Sequence, residues 1–202
     1  DMAMDRCDSV SGWNSDHSLT LDTANEKEGS GCLSVFQTSG GNVVQFYKYF
    51  SSAVNSGQTA ATGAIQFWYY ISDVSKLSDN GQIEISSSGT CDNNEYNWSM
   101  ASIRAGLQNG WNLISLKIRD ASIQGSPNLA AINWFRIYNQ VSANITAKID
   151  DIRFVTIGTS VNVSRGKTAN ASAYNSPGEA PQYAVDGVLG THWCSTATAP
   201  QW

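Results

Sequence analysis

The chain has 202 residues, and its 41% hydrophobic and 10% aromatic content is sufficient to bury a core. Only 14% of the residues are charged, and the net charge of −5 excludes the basic excess typical of nucleic-acid-binding proteins. No apolar run reaches the roughly 18 residues that a membrane span requires. A polar surface built from Ser, Thr, Asn, Gln and Gly suits neutral, hydroxylated ligands instead.

Short stretches of β-branched and aromatic residues recur between clusters of Gly, Asn, Asp and Ser, and helical periodicity is nearly absent. This pattern predicts an all-β chain. The predicted strands are 32–37, 43–50, 64–71, 82–86, 96–100, 111–118, 133–138 and 147–155. Eight or more antiparallel strands that end near Val155 predict a two-sheet jelly-roll sandwich over residues 1–157.

The four cysteines lack the CxxC spacing of zinc sites and the two histidines lie far apart, so a structural zinc site is not expected. Cys7 and Cys32 each flank a predicted strand near the N-terminus, where an oxidising compartment would allow a disulfide. A Cys7–Cys32 bridge is the favoured pairing. The alternative is that both residues are buried, reduced thiols.

Two central strands carry large aromatic side chains on the face opposite their apolar residues, in the stretches AIQFWYYI and NWFRIY. If both strands belong to one sheet, these rings form a platform that can hold sugar rings. The predicted sugar-contacting residues are Trp68, Tyr70, Trp134, Arg136, Tyr138 and Glu84. Alternatively, the rings are buried beneath a loop, or Tyr96 and Trp98 form a competing platform.

The last predicted strand, AKIDDIRFV, breaks its own alternation. Ile149 and Ile152 are out of phase, so both can face the core only if the strand bulges at Asp150 and Asp151. Such a bulge would redirect a carboxylate, and acids from earlier segments can join it as hard oxygen ligands for calcium. These earlier acids are Asp5, Asp8, Asp22, Glu26 and Glu28. Solvated surface acids are the alternative.

Five stretches together resemble a jelly-roll module of the galactose-binding-like superfold that is appended to secreted bacterial polysaccharide-degrading enzymes. They are LDTANEKEGSGCLSV, IQFWYYISDVSKL, GQIEISSSGTCDNNEYNW, LQNGWNLISLKIRDASI, and INWFRIYN with AKIDDIRFV, within residues 5–155. The resemblance implies a structural Ca²⁺ ion between the turn before strand 32–37 and the final strand. Its implied ligands are Glu28 and Asp151, followed by Asp5 and Asp150.

The remaining residues, 158–202, resemble a linker and the opening of a factor 5/8 type C (discoidin-like) domain, the family that includes family 32 carbohydrate-binding modules. The matching stretches are NVSRGKTANAS, the AVDG loop followed by THW, and the final PQW. The resemblance implies that Asp186 and Thr191 help to hold a calcium ion. It also implies that these residues are the N-terminal fragment of an incomplete second β-sandwich.

These features predict non-catalytic binding of a polysaccharide or oligosaccharide. By resemblance, the protein is extracellular and directs an appended glycoside hydrolase or polysaccharide lyase to its polysaccharide. A jelly-roll glycosidase or lyase is less favoured, because Glu84 stands without the expected second carboxylate and no histidine lies in a lyase-like strand. An adhesin or cell-surface module that binds protein is the remaining alternative, since it shares the fold and the polar composition.

Overall fold

The computed structural model describes residues 1–37, 43–158, 164, 166–186, 188 and 190–196. The chain divides into two compact units, Asp1–Ile157 and Gly158–Trp202. In the first unit, two antiparallel sheets of six strands each enclose one hydrophobic core, which is the predicted jelly-roll sandwich. No helix in the described ranges is long and apolar enough to cross a membrane.

The described part of the first unit contains twelve strands. They are β1 (Met2–Asp5), β2 (Trp13–Asn14), β3 (Leu19–Asp22), β4 (Cys32–Gln37), β5 (Val43–Val54), β6 (Gly63–Ile71), β7 (Leu77–Ser86), β8 (Glu95–Ser99), β9 (Gly110–Lys117), β10 (Ser122–Gln124), β11 (Ile132–Val141) and β12 (Ile145–Thr156). Between β8 and β9 lie a short α-helix, α1 (Met100–Ile103), and a 3-10 turn, Arg104–Gly106.

The first sheet has the strand order β3-β4-β12-β6-β9, with β1 also paired to β12. The second sheet has the order β10-β8-β7-β11-β5-β2. All eight predicted strands are confirmed: β4 has the predicted bounds, β8 and β9 lie one residue earlier, and the other five extend one to five residues beyond the prediction. Strands β1, β2, β3 and β10 were not predicted, because stretches of two to four residues hold too few alternating side chains to be recognised.

Alternating apolar side chains of β6 and β11 join the two sheets. Ile65, Phe67 and Tyr69 of β6 are fully buried, as are Phe135 and Ile137 of β11. The rings of Phe67 and Phe135 meet edge to face, with centroids 5.6 Å apart. Burial of a side chain of this size contributes about 1.5–3 kcal/mol to stability. The inward positions therefore fix which side chains of each sheet remain on its outer face.

The predicted bulge in β12 is present. Ile149 and Ile152 are both fully buried, and the register between β12 and β6 shifts between Asp150 and Arg153. Asp151 adopts a left-handed backbone conformation with φ of +52°. On the other side of β12, the neighbouring strand changes from β4, which pairs up to Ile149, to β1, which pairs from Ile152. The bulge thus marks the point where β12 exchanges one partner for another.

The second unit contains two short 3-10 helices, Pro177–Glu179 and Pro181–Ala184, and no strand among its described residues. Three residues of the matching stretch NVSRGKTANAS, at positions 162, 163 and 165, lie outside the described residues. The final PQW, which contributes to the resemblance, lies outside them as well. An incomplete second β-sandwich remains a prediction.

Gly81 of β7 lies opposite Asn139 of β11, and an added Cβ there would overlap the Tyr138 carbonyl oxygen and lie 2.9 Å from the Asn139 Cα. We expect Gly81→Ala to lower the free energy of unfolding by about 1–3 kcal/mol, because backbone atoms cannot move aside easily. Chemical denaturation provides the measurement. Gly106→Ala is the matched control, since its added Cβ would meet no atom of the described residues within 4 Å. Equal effects of the two substitutions would contradict the prediction.

Candidate functional site

Four aromatic side chains share the outer face of the second sheet. Tyr47 and Tyr49 belong to β5, and Trp134 and Tyr138 belong to β11, with Trp134 directly opposite Tyr49. The rings of Tyr47 and Trp134 lie 5.6 Å apart at an interplanar angle of 33°. Tyr49 is exposed and the other three side chains are half-buried. These four side chains are called the aromatic face below.

A buried ion pair lies at the centre of the aromatic face. Arg136 is positioned between Trp134 and Tyr138 on β11, and its Nε lies 2.7 Å from Oε1 of Glu84 on β7. Arg136 Nη2 donates to Glu84 Oε2 at 3.1 Å. Trp134 Nε1 donates to Oε1 at 3.2 Å, and Gln82 Nε2 donates to Oε2 at 2.6 Å. Both oxygens of the fully buried Glu84 carboxylate are therefore held by donors of this face.

Carboxylates outnumber cations around this pair. Within the described residues, Glu84, Asp92 and Glu95 form the one acidic group of three whose ligand oxygens all lie within 4.8 Å of one another. Glu95 accepts hydrogen bonds from the Asp92 backbone N–H at 2.7 Å and from Asn97 Nδ2 at 2.9 Å. Burial raises the pKa of Glu84, and Arg136 opposes that shift. One guanidinium thus faces three carboxylates, and the protein already donates hydrogen bonds to those of Glu84 and Glu95.

A groove of about 260 Å³ adjoins the ion pair and is lined by Asn80, Gly81, Gln82, Arg136 and Tyr138. The Arg136 guanidinium carbon lies 5.4 Å from the Tyr138 ring centroid. The groove combines amide groups, a cation and an aromatic ring. Such a lining can hold a flat polar ring by stacking and by hydrogen bonds.

The predicted platform is divided between the two sheets. Trp68 and Tyr70 lie on β6 in the first sheet, whereas Trp134, Arg136 and Tyr138 lie on β11 in the second. The condition that both strands belong to one sheet is therefore not met, because β6 pairs with β9 and β12. The structure brings Glu84 to the β11 group alone.

Tyr96 and Trp98 face the core and do not form the competing platform. They are 7% and 5% exposed, and the Trp98 indole N–H donates to the Lys117 carbonyl oxygen at 3.0 Å. Glu95 and Asn97 alternate with these residues along β8, and they lie opposite Ser86 and Glu84 of β7. The aromatic residues of this strand serve packing.

Tyr47 and Tyr49 were not among the predicted site residues, although the sequence contains a signal for them. In VVQFYKYF, Phe46 faces the core, so that both tyrosines fall on the opposite face. Lys48 occupies the next inward position and obscures the alternation. The structure accommodates this lysine through an ion pair with Asp5, with Nζ 2.7 Å from Oδ2.

The predicted calcium region lies where the loop 23–31 meets β12. Asp150 is fully buried, and its Oδ2 accepts the backbone N–H groups of Lys27 and Glu28 at 2.6 and 3.0 Å. Among the described residues, Asp150 Oδ1 has no hydrogen-bond partner, and neither have the buried Oε2 atoms of Glu26 and Glu28. Buried carboxylate oxygens without donors are suited to a hard cation.

Basic side chains engage the other predicted calcium ligands. Asp151 contacts the Arg153 guanidinium, and Glu28 Oε1 accepts a hydrogen bond from Arg6 Nη1 at 3.2 Å. Glu28 and Asp151 line one cavity of about 190 Å³. Asp5 is directed to a lysine of β5. The structure thus brings Glu28 and Asp151 together, with an arginine beside each, and places Asp5 in a separate contact.

In the second unit, the two predicted calcium ligands lie side by side. Thr191 Oγ1 donates to Asp186 Oδ2 at 2.7 Å, and the Val188 N–H donates to Asp186 Oδ1 at 2.8 Å. Hydrogen bonds within the loop therefore hold this carboxylate in place. Calcium binding there remains a prediction.

Cys7 and Cys32 are both fully buried and both are free thiols in the structure, so the expected bridge is not formed there. Burial raises the pKa of both thiols, in the case of Cys32 to about 12. A thiol with a raised pKa is a poor nucleophile at neutral pH. The alternative of two buried, reduced cysteines therefore describes the structure.

Solved structures with a similar fold include carbohydrate-binding modules. A family 30 carbohydrate-binding module matches with a TM-score of 0.50 and 12% identity, over 73% of this chain and 92% of that chain. The family 11 module from Clostridium thermocellum, in complex with a β-1,3-1,4-mixed-linked tetrasaccharide, has a TM-score of 0.49 and 14% identity, over 78% and 95% of the two chains. No protein-family model matches the sequence, and no curated protein matches it either. The family 30 likeness shows a shared fold.

We expect Arg136→Gln to lower the free energy of unfolding at neutral pH by about 3 kcal/mol, because it leaves the buried Glu84 carboxylate without its cation. Loss of the cation raises the pKa of folded Glu84 further above its unfolded value. The variant should therefore regain stability as the pH falls through that pKa. Chemical denaturation between neutral and acidic pH measures both effects.

Arg119→Gln is the control for this substitution, because Arg119 is exposed and its Nε lies 3.9 Å from Asp120. The double variant Glu84→Gln, Arg136→Gln should recover part of the lost stability. A loss that does not depend on pH, or that the double variant deepens, would show that the ion pair is not the cause.

Proposed function

We propose that the first unit is a non-catalytic carbohydrate-binding module whose ligand lies on the aromatic face. The observation that carries this proposal is the set of partly exposed rings around the buried Glu84–Arg136 pair. Trp134 and Tyr138 offer apolar ring faces to the CH groups of a pyranose. Gln82 and Arg136 offer hydrogen-bonding groups to its hydroxyls. The fold shared with a family 30 carbohydrate-binding module supports the same proposal.

The charge around the site favours neutral glycans. Glu84, Asp92 and Glu95 are set against the single guanidinium of Arg136. An anionic sugar would bring a further negative charge to this group, and like charges at short range repel. The ligand class that fits is therefore a neutral polysaccharide or oligosaccharide.

The state of Glu84 supports binding without hydrolysis. A glycosidase needs a carboxyl group that can reach the glycosidic oxygen and a second carboxylate that can attack or activate water. Glu84 is fully buried, and both of its oxygens already accept hydrogen bonds from Trp134, Arg136 or Gln82. Its geometry is that of a residue that orients the arginine.

We place this module in an extracellular protein, where it directs an appended glycoside hydrolase or polysaccharide lyase to its polysaccharide. The resemblance of residues 5–155 to modules of secreted enzymes supports this setting. Residues 158–202 would then begin a discoidin-like domain, in which Asp186 and Thr191 help to bind calcium. The proximity of these two side chains is compatible with that role.

We also propose a structural calcium ion in the first unit, beside Asp150 where the loop 23–31 meets β12. Asp150 Oδ1, a buried oxygen with no hydrogen-bond partner in the described part of the chain, supports this position. Calcium takes six to eight oxygen ligands, so backbone carbonyls of the loop 23–31 would complete the site. The ion would supply no reaction chemistry; it would tie this loop to β12.

We expect Trp134→Ala to weaken binding of soluble neutral polysaccharides at least tenfold while the fold is retained, because it removes the largest stacking surface of the aromatic face. Affinity electrophoresis against mixed-linked β-glucan, xyloglucan and galactomannan measures this. Phe36→Ala is the matched control, since Phe36 is an exposed ring on the first sheet. Unchanged affinity of Trp134→Ala would refute the site. Binding to a protein and to none of the polysaccharides would favour the adhesin alternative.

Calcium should raise the melting temperature of the full chain, because a ligand that binds only the folded state adds about 2.7 kcal/mol at a hundredfold excess over its Kd. Thermal unfolding with calcium and with excess chelator measures the difference. Asp150→Asn should abolish the part that belongs to the first unit. Asp120→Asn, at an exposed acid, should retain it. A wild-type melting temperature that excess chelator leaves unchanged would refute the calcium ion.

A further inference from the structure

A second groove follows the free edge of the first sheet, on the opposite layer of the sandwich from the aromatic face. Strand β9 pairs with β6 and is the last strand of that sheet. The groove has a volume of about 530 Å³ and is lined by this edge, by Trp68 of β6 and by side chains from residues 102–108. This is the volume of a site for a small ligand. We call it the edge groove.

The edge groove has an uncharged lining. Its side chains are aromatic, aliphatic, amide or hydroxyl groups, including those of Trp68, Trp111, Leu113, Gln108 and Ser115. A charged ligand would lose its hydration without a counter-charge among the lining residues, which is costly, and the Lys27 ammonium beside the groove is directed to the Trp68 ring. The lining therefore selects a neutral ligand with both apolar and hydroxyl-rich surfaces.

Hydrogen-bonding groups in the edge groove are free to meet such a ligand. The indole N–H groups of Trp98 and Trp134 have acceptors in the protein. In the described part of the chain, no hydrogen-bond partner is present for the indole N–H groups of Trp68 and Trp111 or for the exposed side-chain amide of Gln108. Two ring systems and an amide thus offer both stacking surface and donors.

Neighbouring contacts hold the groove in shape. The Trp111 ring meets Tyr70 edge to face at 5.5 Å, and Lys27 Nζ lies 4.5 Å from the Trp68 ring centroid. Asn112 Nδ2 donates to the Gln108 carbonyl oxygen at 2.8 Å, and Asn112 Oδ1 accepts from the Gln108 N–H at 2.9 Å. The rings and the turn that carries Gln108 are therefore positioned before any ligand binds.

We infer that the edge groove is a second carbohydrate-binding site, which takes a neutral saccharide. It goes beyond the proposed function, because it shares no residue with the aromatic face and lies on the other sheet. Two sites on opposite layers would engage two glycan chains at once and add avidity toward a polysaccharide. An extended peptide that adds to the β9 edge is the competing occupant, but the indole rings and the free amide favour a sugar.

The test uses full-length ¹⁵N-labelled Trp134→Ala, in which the aromatic face is impaired. Neutral tetrasaccharides, a β-1,3-1,4-linked glucan and a β-1,4-linked xylan fragment, are titrated while the indole N–H signals are followed. Signals of Trp68 and Trp111, identified by single Trp→Phe substitutions, should shift on binding. Adding Trp111→Ala should weaken this binding at least tenfold, and adding Gln108→Ala, at an exposed side chain, should weaken it several-fold. Phe36→Ala should leave it unchanged.

Each outcome decides between the two sites. If wild-type protein binds a tetrasaccharide through Trp134 while Trp68 and Trp111 stay unshifted, the edge groove is refuted and the proposed function stands. If the Trp68 and Trp111 signals of the wild-type protein shift and its Trp134 signal does not, the edge groove stands and the aromatic face is refuted. No shift at either site with both sugars would overturn both. Shifts with a valine-rich extended peptide and with neither sugar would assign the groove to peptide binding.

Discussion

The extra residue in β12 at Asp150 and Asp151 is the constraint on which the first unit depends. Up to Ile149 this strand pairs with β4, and from Ile152 it pairs with β1, so the bulge joins the N-terminal strand to the body of the first sheet. The break also turns the Asp150 carboxylate onto the backbone of the loop 23–31. Both isoleucines reach the core only because the strand is interrupted between them.

Once the inward side chains are fixed, the outer faces of the two sheets are fixed as well, and they differ in chemistry. The second sheet surrounds a buried ion pair with rings, whereas the groove along β9 of the first sheet has an uncharged lining. A buried ion pair is weak evidence for stability, because removal of the charges from water costs as much as their attraction returns. The position of Arg136 between Trp134 and Tyr138 is the arrangement that the proposed sugar site requires.

Local patterns in the sequence predicted the parts of the structure that depend on neighbouring residues. Alternation was sufficient for the long strands and for the bulge between Ile149 and Ile152, because each side chain reports its own face. The sheet to which a strand belongs depends on distant partners, which alternation does not reveal, so Trp68 was grouped with Trp134. Burial of Tyr96 is equally non-local. Lys48 can occupy an inward position because it pairs with Asp5, 43 positions away, and this inward lysine obscured the alternation that places Tyr47 on the outer face.

The Arg136 side chain is immobilised before any ligand arrives, by Glu84 on one side and by the Tyr138 ring on the other. A free arginine side chain carries about 2 kcal/mol of rotamer entropy, most of which this residue has therefore already lost on folding. Ligands that fit the fixed guanidinium incur little further ordering cost, whereas ligands that require it to move must first break a buried contact. At the proposed site, a fixed guanidinium would therefore select ligands by their shape.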